Sequence, residues 1–360
     1  MSLRRLELVD FRIFGAAVFT PSPEGTTVIT GANGTGKTSV LEALVYLGTQ
    51  RSFRGAPREA LVRGGAARAI VRAELEHGAS PTLVEAEIFG VGRSRTQVNR
   101  KTASGRRELS AAAPTSIFSP EDLALVGGGP RIRRELLDDA LGLVDAEGAR
   151  AADEVERVLR QRAALLRQAG GRVSADVAST LDVWDQRLND AGKILVTARE
   201  NLVRALDEFV GPAYGRLAGA GDRVVIDQRY VRSWEGELLD ALQAHRSEDL
   251  RRGVNTVGPH RDDLVLMLEG REARTHASQG EQRCLALALR MGVHQLVMTK
   301  TPHTPILLLD DVFSELDPSR SRALIAELPP GQSVLTTAAP LPAGIEVAEI
   351  VDIARVVQEQ

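Results

Sequence analysis

The chain has 360 residues, of which 43% are apolar and 26% are charged, a balance that allows a sizeable folded core. Its formal net charge of −3 excludes a globally basic protein, so any surface for nucleic acid has to be a local patch. The single cysteine, Cys284, excludes an intrachain disulfide and a cysteine-based zinc cluster, and we expect it to be a small core residue.

The N-terminal segment from Leu3 to Thr30 alternates apolar and polar residues in short runs, with turn signals at Pro21, Pro23 and Gly25. This pattern predicts strands. Charged residues interrupt the first apolar run, so we expect no signal peptide, and no stretch reaches the ~18 apolar residues of a membrane span. We therefore expect a cytoplasmic protein without a membrane partner.

A glycine-rich octet follows, with the spacing G-x-x-x-x-G-K-[ST] of a phosphate-binding loop. Its residues are Gly31, Ala32, Asn33, Gly34, Thr35, Gly36, Lys37 and Thr38. A β-branched run, Thr26 to Thr30, precedes the octet, and apolar residues at helical spacing follow it from Val40 to Leu47. Glycines let backbone N–H groups approach phosphate, and the helix start adds unpaired N–H groups. The octet therefore predicts a bound nucleoside triphosphate, with a glycine-rich turn that binds nothing as the alternative.

Two side chains of the octet have expected roles of their own. Lys37 would reach the β- and γ-phosphates and take part in catalysis, and the Thr38 hydroxyl would hold Mg²⁺. The chain contains only four lysines among its 45 basic residues. A lysine at the one position that requires a compact ammonium therefore supports a functional loop.

Strand-like runs at residues 69–75, 83–89 and 115–118 come next, and together with the loop helix they predict a mixed α/β lobe. Basic residues are dense between these runs: Arg51, Arg54, Arg58, Arg63, Arg93, Arg95, Arg100, Lys101, Arg106 and Arg107. This density fits either a surface that follows nucleic-acid phosphates or a solvated face, and we favour the solvated face.

Between Pro130 and Pro212 the chain contains no proline, which predicts long helices. From Leu181 to Phe209 apolar residues step by three and four in the heptad pattern of a coiled-coil seam, and a looser series runs from Leu137 to Leu165. Gly170-Gly171 divides the two series. We expect an antiparallel hairpin that projects as an arm, each half ~50 to 60 Å long at ~1.5 Å per residue. Two helices packed flat within a globular domain are the alternative.

Beyond the helices, strand-like runs from Arg223 to Tyr230 and from Leu264 to Leu268 lead back to the α/β lobe. His260 lies between them as a lone loop histidine, and we assign it no catalytic role.

A second motif, which ends in two acidic residues, is expected to complete the nucleotide site. The apolar run from Pro305 to Leu309 predicts a buried central strand, and it ends in Asp310 and Asp311. Magnesium-binding strands of P-loop ATPases have this form, so we expect Asp310 to bind Mg²⁺. Asp311 is then placed to orient the attacking water or to accept its proton. A strand that merely ends in a solvated acidic turn is the alternative.

Ser278 and Glu281 precede an apolar helical run with the spacing of a capping box. The stretch from Ser278 through Gly280 to Gln282 also resembles the signature motif of ABC-type ATPases, and the stretch from Ser314 to Asp317 resembles their D-loop. This resemblance implies that Ser278 and Gly280 contact the γ-phosphate held by the other subunit of a dimer. Phosphate loop, helical arm, signature and acidic strand follow the SMC-like order, although the arm is far too short for a chromosome-condensing protein.

Residues 118–123, 129–134, 258–264 and 313–317 closely resemble the RecF family of bacterial recombination-repair proteins, and the likeness covers nearly the whole chain. It implies an α/β fold, namely a two-lobed P-loop ABC-type ATPase head with an inserted antiparallel helical coiled-coil arm. We expect residues 1–130 and 221–360 to form the head, and residues 131–220 to form the arm.

The same resemblance implies a cytoplasmic, weak, DNA-stimulated ATPase that uses ATP and Mg²⁺ and forms an ATP-dependent homodimer. It would act with RecR and RecO at single-strand gaps or junctions in DNA and help to load RecA. One departure from ABC ATPases is that Thr336-Thr337-Ala338 stands where a switch histidine is expected, which implies slow hydrolysis. The alternatives are another SMC-like repair ATPase, a binding clamp without useful turnover, and an ABC transporter subunit, against which the inserted arm argues.

Overall fold

The computed structural model describes residues 1–77, 80–172, 174–219, 224–302 and 304–356, without the side chains of His77 and Glu315. The strands are β1 (Ser2–Phe11), β2 (Phe14–Phe19), β3 (Thr26–Thr30), β4 (Arg68–His77), β5 (Ser80–Phe89), β6 (Arg95–Val98), β7 (Lys101–Thr102), β8 (Thr115–Phe118), β9 (Ile226–Val231), β10 (Asp263–Leu268), β11 (Arg271–Glu272), β12 (Ile306–Asp310), β13 (Ser333–Thr337) and β14 (Val347–Asp352). The helices are α1 (Lys37–Thr49), α2 (Arg106–Ala112), α3 (Leu123–Gly127), α4 (Pro130–Val144), α5 (Ala146–Ala169), α6 (Ala175–Ala218), α7 (Leu238–Ala244), α8 (Arg246–Arg252), α9 (Ala273–His276), α10 (Gln279–Lys300), α11 (Pro318–Glu327) and α12 (Ile353–Val356).

The sheet that carries the octet is parallel, with strand order β14-β3-β13-β12-β8. Every residue of β12 and β13 is buried, as expected for central strands covered on both faces. The carboxyl ends of parallel strands meet at one edge of a sheet. Here the register pairs Asp310 with Thr336 and Thr336 with Ile29, so the acidic strand and the phosphate loop lie on either side of β13.

A second sheet is antiparallel, with strand order β2-β1-β4-β5-β6-β7. Alternate residues of its long strands are buried, among them Leu6, Val71 and Val84, and they share one core with the buried helix α1. Helix α1 therefore packs between the two sheets, which fixes the position of the loop that precedes it.

The strand predictions for 3–30, 69–75, 83–89 and 115–118 are confirmed, as are those for 264–268 and for the acidic strand. The predicted run from Arg223 begins outside the described residues, and β9 forms the rest of it. The prediction omitted β6, β7, β11 and β14. These are short or edge strands, and β6 and β7 form a hairpin around Asn99 and Arg100, whose φ values of 49° and 66° the sequence does not signal.

The helical insertion differs from the prediction in its first half, which is two helices and not one. Asp145 Oδ1 accepts hydrogen bonds from the backbone N–H groups of Glu147 and Gly148, both at 3.0 Å, and so caps α5 and separates it from α4. The predicted antiparallel pair is confirmed for α5 and α6, with Gly170 ending α5 in the left-handed conformation. Helix α6 continues through Pro212 as one element of 44 residues.

The pair α5–α6 is packed on both sides. Helix α10 lies against α6, and a segment containing α7 and α8 lies along the hairpin. Buried Arg162 joins α5 to this segment, because its guanidinium donates to Asp185 on α6 and to Asp249 on α8. Leu250 adds to a small core with Leu166. Other helices therefore cover parts of the predicted hairpin. Within the described ranges, no helix combines the length and apolar character needed to cross a membrane.

Candidate nucleotide-binding site

The loop between β3 and α1 has a backbone that only glycine adopts easily. Gly31, Gly34 and Gly36 have φ values of 143°, 80° and 97°. Space is also limiting, because a Cβ on Gly36 would lie 2.5 Å from Phe14 Cζ, and one on Gly31 would lie 2.5 Å from Ile353 Cγ2. Backbone conformation and packing thus both require glycine at positions 31 and 36, whereas conformation alone favours it at Gly34, where a Cβ would meet nothing within 4 Å.

Lys37 begins α1, and its side chain folds back over the loop. Its Nζ donates hydrogen bonds to the carbonyl oxygens of Gly31, at 2.7 Å, and Ala32, at 2.9 Å. An ammonium has three N–H donors, so one remains for another acceptor at the mouth of the loop. A phosphate oxygen is an acceptor of the right charge for that donor.

Asp310 lies at the end of β12 between two hydroxyl groups. Its Oδ1 accepts from Thr336 Oγ1 at 2.6 Å and from Thr38 Oγ1 at 2.9 Å, so the octet and the acidic strand are joined directly. Burial raises the pKa of the Asp310 carboxyl, and hydrogen bonds from the two hydroxyls oppose that rise. A metal ion at this carboxylate would favour the ionised form further.

Asp311 follows in a strained conformation, with φ 47° and ψ 29°. Its backbone N–H donates to the carbonyl oxygen of Thr336 at 3.1 Å, which holds the residue at the sheet edge. Its Oδ1 is buried and has no hydrogen-bond partner in the described part of the chain. A buried carboxylate oxygen without a donor is costly, so this atom favours a nearby water or ligand proton.

The donor set fits Mg²⁺, which prefers oxygen ligands and usually binds one or two carboxylates together with substrate phosphates and water. Thr38 and Asp310 supply a hydroxyl and a carboxylate that already touch. Across the described ranges there is no group of three or more His, Cys, Asp or Glu side chains suited to a metal. An ion here would therefore need phosphate oxygens and water to complete its coordination.

The signature-like residues lie at the start of α10, away from the octet's hydrogen bonds. Ser278 caps the helix, and Glu281 Oε2 accepts from Ser278 N at 2.8 Å and from Ser278 Oγ at 2.7 Å, as the capping box predicts. Among the described contacts, no hydrogen bond joins Ser278 or Gly280 to residues 31–38. One chain thus brings together Lys37, Thr38, Asp310 and Asp311, and its described hydrogen bonds do not connect Ser278 or Gly280 to them.

Sequence reasoning missed the part that three residues play at the site. Thr336 hydrogen-bonds Asp310 across the β12–β13 register, a contact that no local motif signals. Arg54 and Glu121, whose Nε and Oε1 atoms are 3.6 Å apart, also lie near enough to Asp310 to affect its pKa. Glu121 raises this pKa and Arg54 lowers it.

The basic residues that follow α1 divide into two groups. Arg51, Arg54, Arg63 and Arg106 pair with carboxylates, in line with the favoured solvated or structural role. Among the described residues, no ionic partner is found for Arg93, Arg100, Lys101 or Arg107. His260 is partly buried, its Nε2 lies 3.1 Å from the Asn255 carbonyl oxygen, and burial lowers its pKa to about 4.

A family model described as the RecF/RecN/SMC N-terminal domain matches residues 2–333. The DNA replication and repair protein RecF of Beutenbergia cavernae is 42% identical, over 94% of each chain. The protein of the same name from Frankia alni is 41% identical over 94% of this chain and 93% of its own. That from Streptomyces avermitilis is 40% identical over 94% of each.

A solved structure of the recombination mediator protein RecF-ATP in the RecFOR pathway has a TM-score of 0.84 and 26% identity, covering 96% of this chain and 93% of that chain. The Smc head domain from Pyrococcus furiosus shares the fold, with a TM-score of 0.55 and 16% identity over 99% and 94% of the two chains. The expected α/β head of the ABC type is thereby confirmed. Since relatives above 40% identity match it nearly end to end, the chain belongs to the RecF family of DNA replication and repair proteins.

Proposed function

We propose that the protein is an ATP-dependent DNA-binding protein of recombination and repair, which acts at single-strand gaps to help load RecA. The observation that carries the nucleotide part is the cluster of Thr38, Asp310 and Thr336 beside Lys37, with one buried oxygen of Asp311 left without a donor. Slow hydrolysis would regulate how long an ATP-bound homodimer stays on DNA.

Each residue of this cluster has a role that its contacts support. The backbone of Gly31 to Gly36 and the Lys37 ammonium would bind the β- and γ-phosphates, while Thr38 and Asp310 would hold Mg²⁺. Bound Mg²⁺ would neutralise charge on the phosphates. Asp311 would orient the attacking water and accept its proton through the unpaired Oδ1.

A second copy of the chain would complete each site. Ser278 and Gly280 form no hydrogen bond to the octet of their own chain in the described part, which supports contact with the nucleotide of a partner. In this arrangement residues 1–130 and 221–360 act as the ATPase head, and residues 131–220 act as a helical insertion for DNA or partner contact.

The names of similar proteins support the wider role. Relatives about 40% identical are called DNA replication and repair proteins, and the similar solved structure is called a recombination mediator of the RecFOR pathway. RecR, RecO and gapped or junction DNA in the cytoplasm are therefore the proposed partners. Identity at this level to RecF proteins favours this role over another SMC-like repair ATPase or a transporter subunit.

The test is ATP hydrolysis by the purified protein, measured with no DNA, with plain duplex and with gapped duplex. We expect weak hydrolysis that gapped DNA stimulates most. A salt titration of DNA binding with ATP present should give a negative slope of log affinity against log salt, because phosphate contacts release counterions. Gap-independent hydrolysis would contradict the proposed substrate, and nucleotide binding without turnover would favour a clamp.

The shared site has its own test, in which Lys37→Ala and Ser278→Arg are measured alone and mixed. Each homodimer should be nearly inactive, since one lacks the phosphate cation and the other has a bulky guanidinium at the interface. Mixing creates one intact site, with Lys37 from the serine variant and Ser278 from the lysine variant, and activity should partly return at saturating ATP. Undiminished hydrolysis by the Ser278→Arg homodimer would exclude any contribution from the signature helix.

A further inference from the structure

Arg320 lies on the first turn of α11 and covers the start of the signature helix. A Cβ placed on Gly280 would lie 3.0 Å from Arg320 Nη1 and 3.3 Å from Nη2, so the guanidinium rests directly on the glycine backbone. The contact links residues 40 positions apart in sequence and brings a cation to the two signature residues, Ser278 and Gly280.

The terminal nitrogens of this guanidinium are not used by the fold. In the described part of the chain, Arg320 forms an ion pair only with Asp317, whose Oδ2 is 3.5 Å from Nε. Asp317 Oδ1 is already occupied as the cap of α11, since it accepts from the backbone N–H groups of Ser319 and Arg320. Nη1 and Nη2 make no hydrogen bond to any described acceptor, and the side chain is about a third exposed, at 32%.

The charge arrangement is unusual for a surface arginine. A helix N-terminus carries unpaired N–H groups and the positive end of the dipole, so a cation is favoured at the C-terminus of a helix. Arg320 instead lies at the N-terminus of α10. The nearby Glu281 carboxylate accepts hydrogen bonds from the backbone and hydroxyl of Ser278 and forms no ion pair with the guanidinium among the described contacts. Positive groups from α10 and from Arg320 thus converge on one exposed point, which suits an external anion with several oxygens.

We propose that Arg320 is a catalytic residue that binds the γ-phosphate of ATP held by the partner copy. The assignment rests on the proposed function, in which the signature helix of one chain closes over the octet of the other. In the reaction, the water oxygen bonds to the γ-phosphorus and the bond to the β,γ-bridging oxygen breaks. That oxygen leaves on ADP with the electron pair, and the water's proton passes to Asp311. The planar guanidinium would stabilise the charge on the equatorial phosphoryl oxygens, as an arginine supplied in trans does in other phosphoryl transfers.

Arg320→Ala and Arg320→Lys test the role, with Arg322→Ala as the matched control on the same helix. Arg322 is exposed and makes no ion pair among the described residues. Arg320→Ala should reduce DNA-stimulated hydrolysis by about 10²-fold or more, while ATP affinity and ATP-dependent dimerisation persist. Arg320→Lys should recover little, because a point cation cannot bridge two oxygens in one plane. The control should hydrolyse ATP at the wild-type rate.

Mixing Arg320→Ala with Lys37→Ala tests whether the arginine acts in trans. If Arg320 acts on the partner's nucleotide, the mixture contains one site with both residues intact and hydrolysis partly returns. If it acts on its own chain's nucleotide, no site is intact. Failure to recover, under conditions where Lys37→Ala mixed with Ser278→Arg does recover, would overturn the assignment and leave the proposed function standing. Wild-type hydrolysis by Arg320→Ala, or loss of its dimerisation at saturating ATP, would also overturn it. Absence of DNA-stimulated hydrolysis in the wild type would instead contradict the proposed function, and with it this assignment.

Discussion

At the scale of single residues, Thr336 decides how Asp310 is held. Its Oγ1 donates to Asp310 Oδ1 and accepts from Asp311 N at 3.2 Å, so one hydroxyl holds the Asp310 carboxylate and the Asp311 backbone. Thr336→Val should weaken Mg²⁺-dependent nucleotide binding by about 10- to 100-fold, since a hydrogen bond to a charged group contributes ~1.5 to 3 kcal/mol. It should also raise the pKa of Asp310, so the acid limb of the hydrolysis profile should move to higher pH.

A magnesium titration of fluorescent-nucleotide binding measures the first effect. Thr336→Ser should restore it because it keeps the hydroxyl. Thr337→Val serves as the control, since the Thr337 hydroxyl donates to the Ala339 carbonyl and not to Asp310. Equal magnesium dependence in Thr336→Val and wild type would show that Thr38 alone positions the carboxylate.

Asp311→Asn separates binding from chemistry. Asn, like Asp, tolerates the left-handed region at φ 47°, so the substitution adds little backbone strain. It removes the basic oxygen and should slow single-turnover hydrolysis by about 10²-fold or more, while ATP binding is kept. Longer dwell of the dimer on DNA should follow. Turnover at the wild-type rate would exclude Asp311 as the base.

The residues found from sequence alone are those whose neighbours lie close in the chain. The octet and the acidic strand are local patterns, and the structure brings Thr38 and Asp310 to 2.9 Å. Thr336 and Arg320 were missed because their partners depend on strand register and on helix packing. Such contacts carry no fixed sequence spacing.

At the scale of elements, the heptad pattern found the pair α5–α6 but not what covers it. The break at Asp145 falls within the looser apolar series from Leu137 to Leu165, although an acidic residue that can accept two backbone N–H groups is a helix-start signal. The covering segment with α7 and α8 has short helices and weak periodicity. Besides buried leucines, buried polar groups tie it to the hairpin, and hydrophobic patterning does not detect these polar contacts.

Arg162→Met tests that polar connection. Arg162 is fully buried and pairs with Asp185 and Asp249, which are also fully buried. Removing the arginine leaves two buried carboxylates short of a partner, so the free energy of unfolding should fall by about 3 to 5 kcal/mol. Arg160→Met, which loses only an exposed pair with Glu156, should cost less than about 0.5 kcal/mol. Urea unfolding measures both, and equal stability of the two variants would contradict the structural role.

At the scale of the whole molecule, the sheet at the nucleotide site is assembled from distant parts of the chain. Strands β3 and β8 come from the first third, while β12, β13 and β14 come from the last sixth. Sequence patterns identified most of these strands, but their order follows from packing around α1 and α10. The return of the chain to one sheet explains why residues near both ends of the sequence form a single candidate site.

Helix α10 is joined to this sheet by His294, whose Nδ1 lies 2.8 Å from Ser116 Oγ on β8. Burial lowers the pKa of His294 to about 4, so the folded state favours the neutral ring. The unfolded chain binds the proton more readily, with a pKa near ~6.5. Stability is therefore fully present above pH ~6.5 and falls as the pH drops toward 4. By pH 5 the loss from this one group should be about 2 kcal/mol relative to pH 7.

His294→Gln keeps a polar group that can reach Ser116 and removes the titration. Its free energy of unfolding, measured in urea at pH 7 and pH 5, should therefore fall by about 2 kcal/mol less than that of the wild type over this interval. His245→Gln is the matched control, because His245 is exposed. This variant should keep the wild-type pH dependence. If His294→Gln and wild type lose the same stability between pH 7 and pH 5, the pKa of the ring is the same in the folded and unfolded chain, and the expected effect of burial is contradicted.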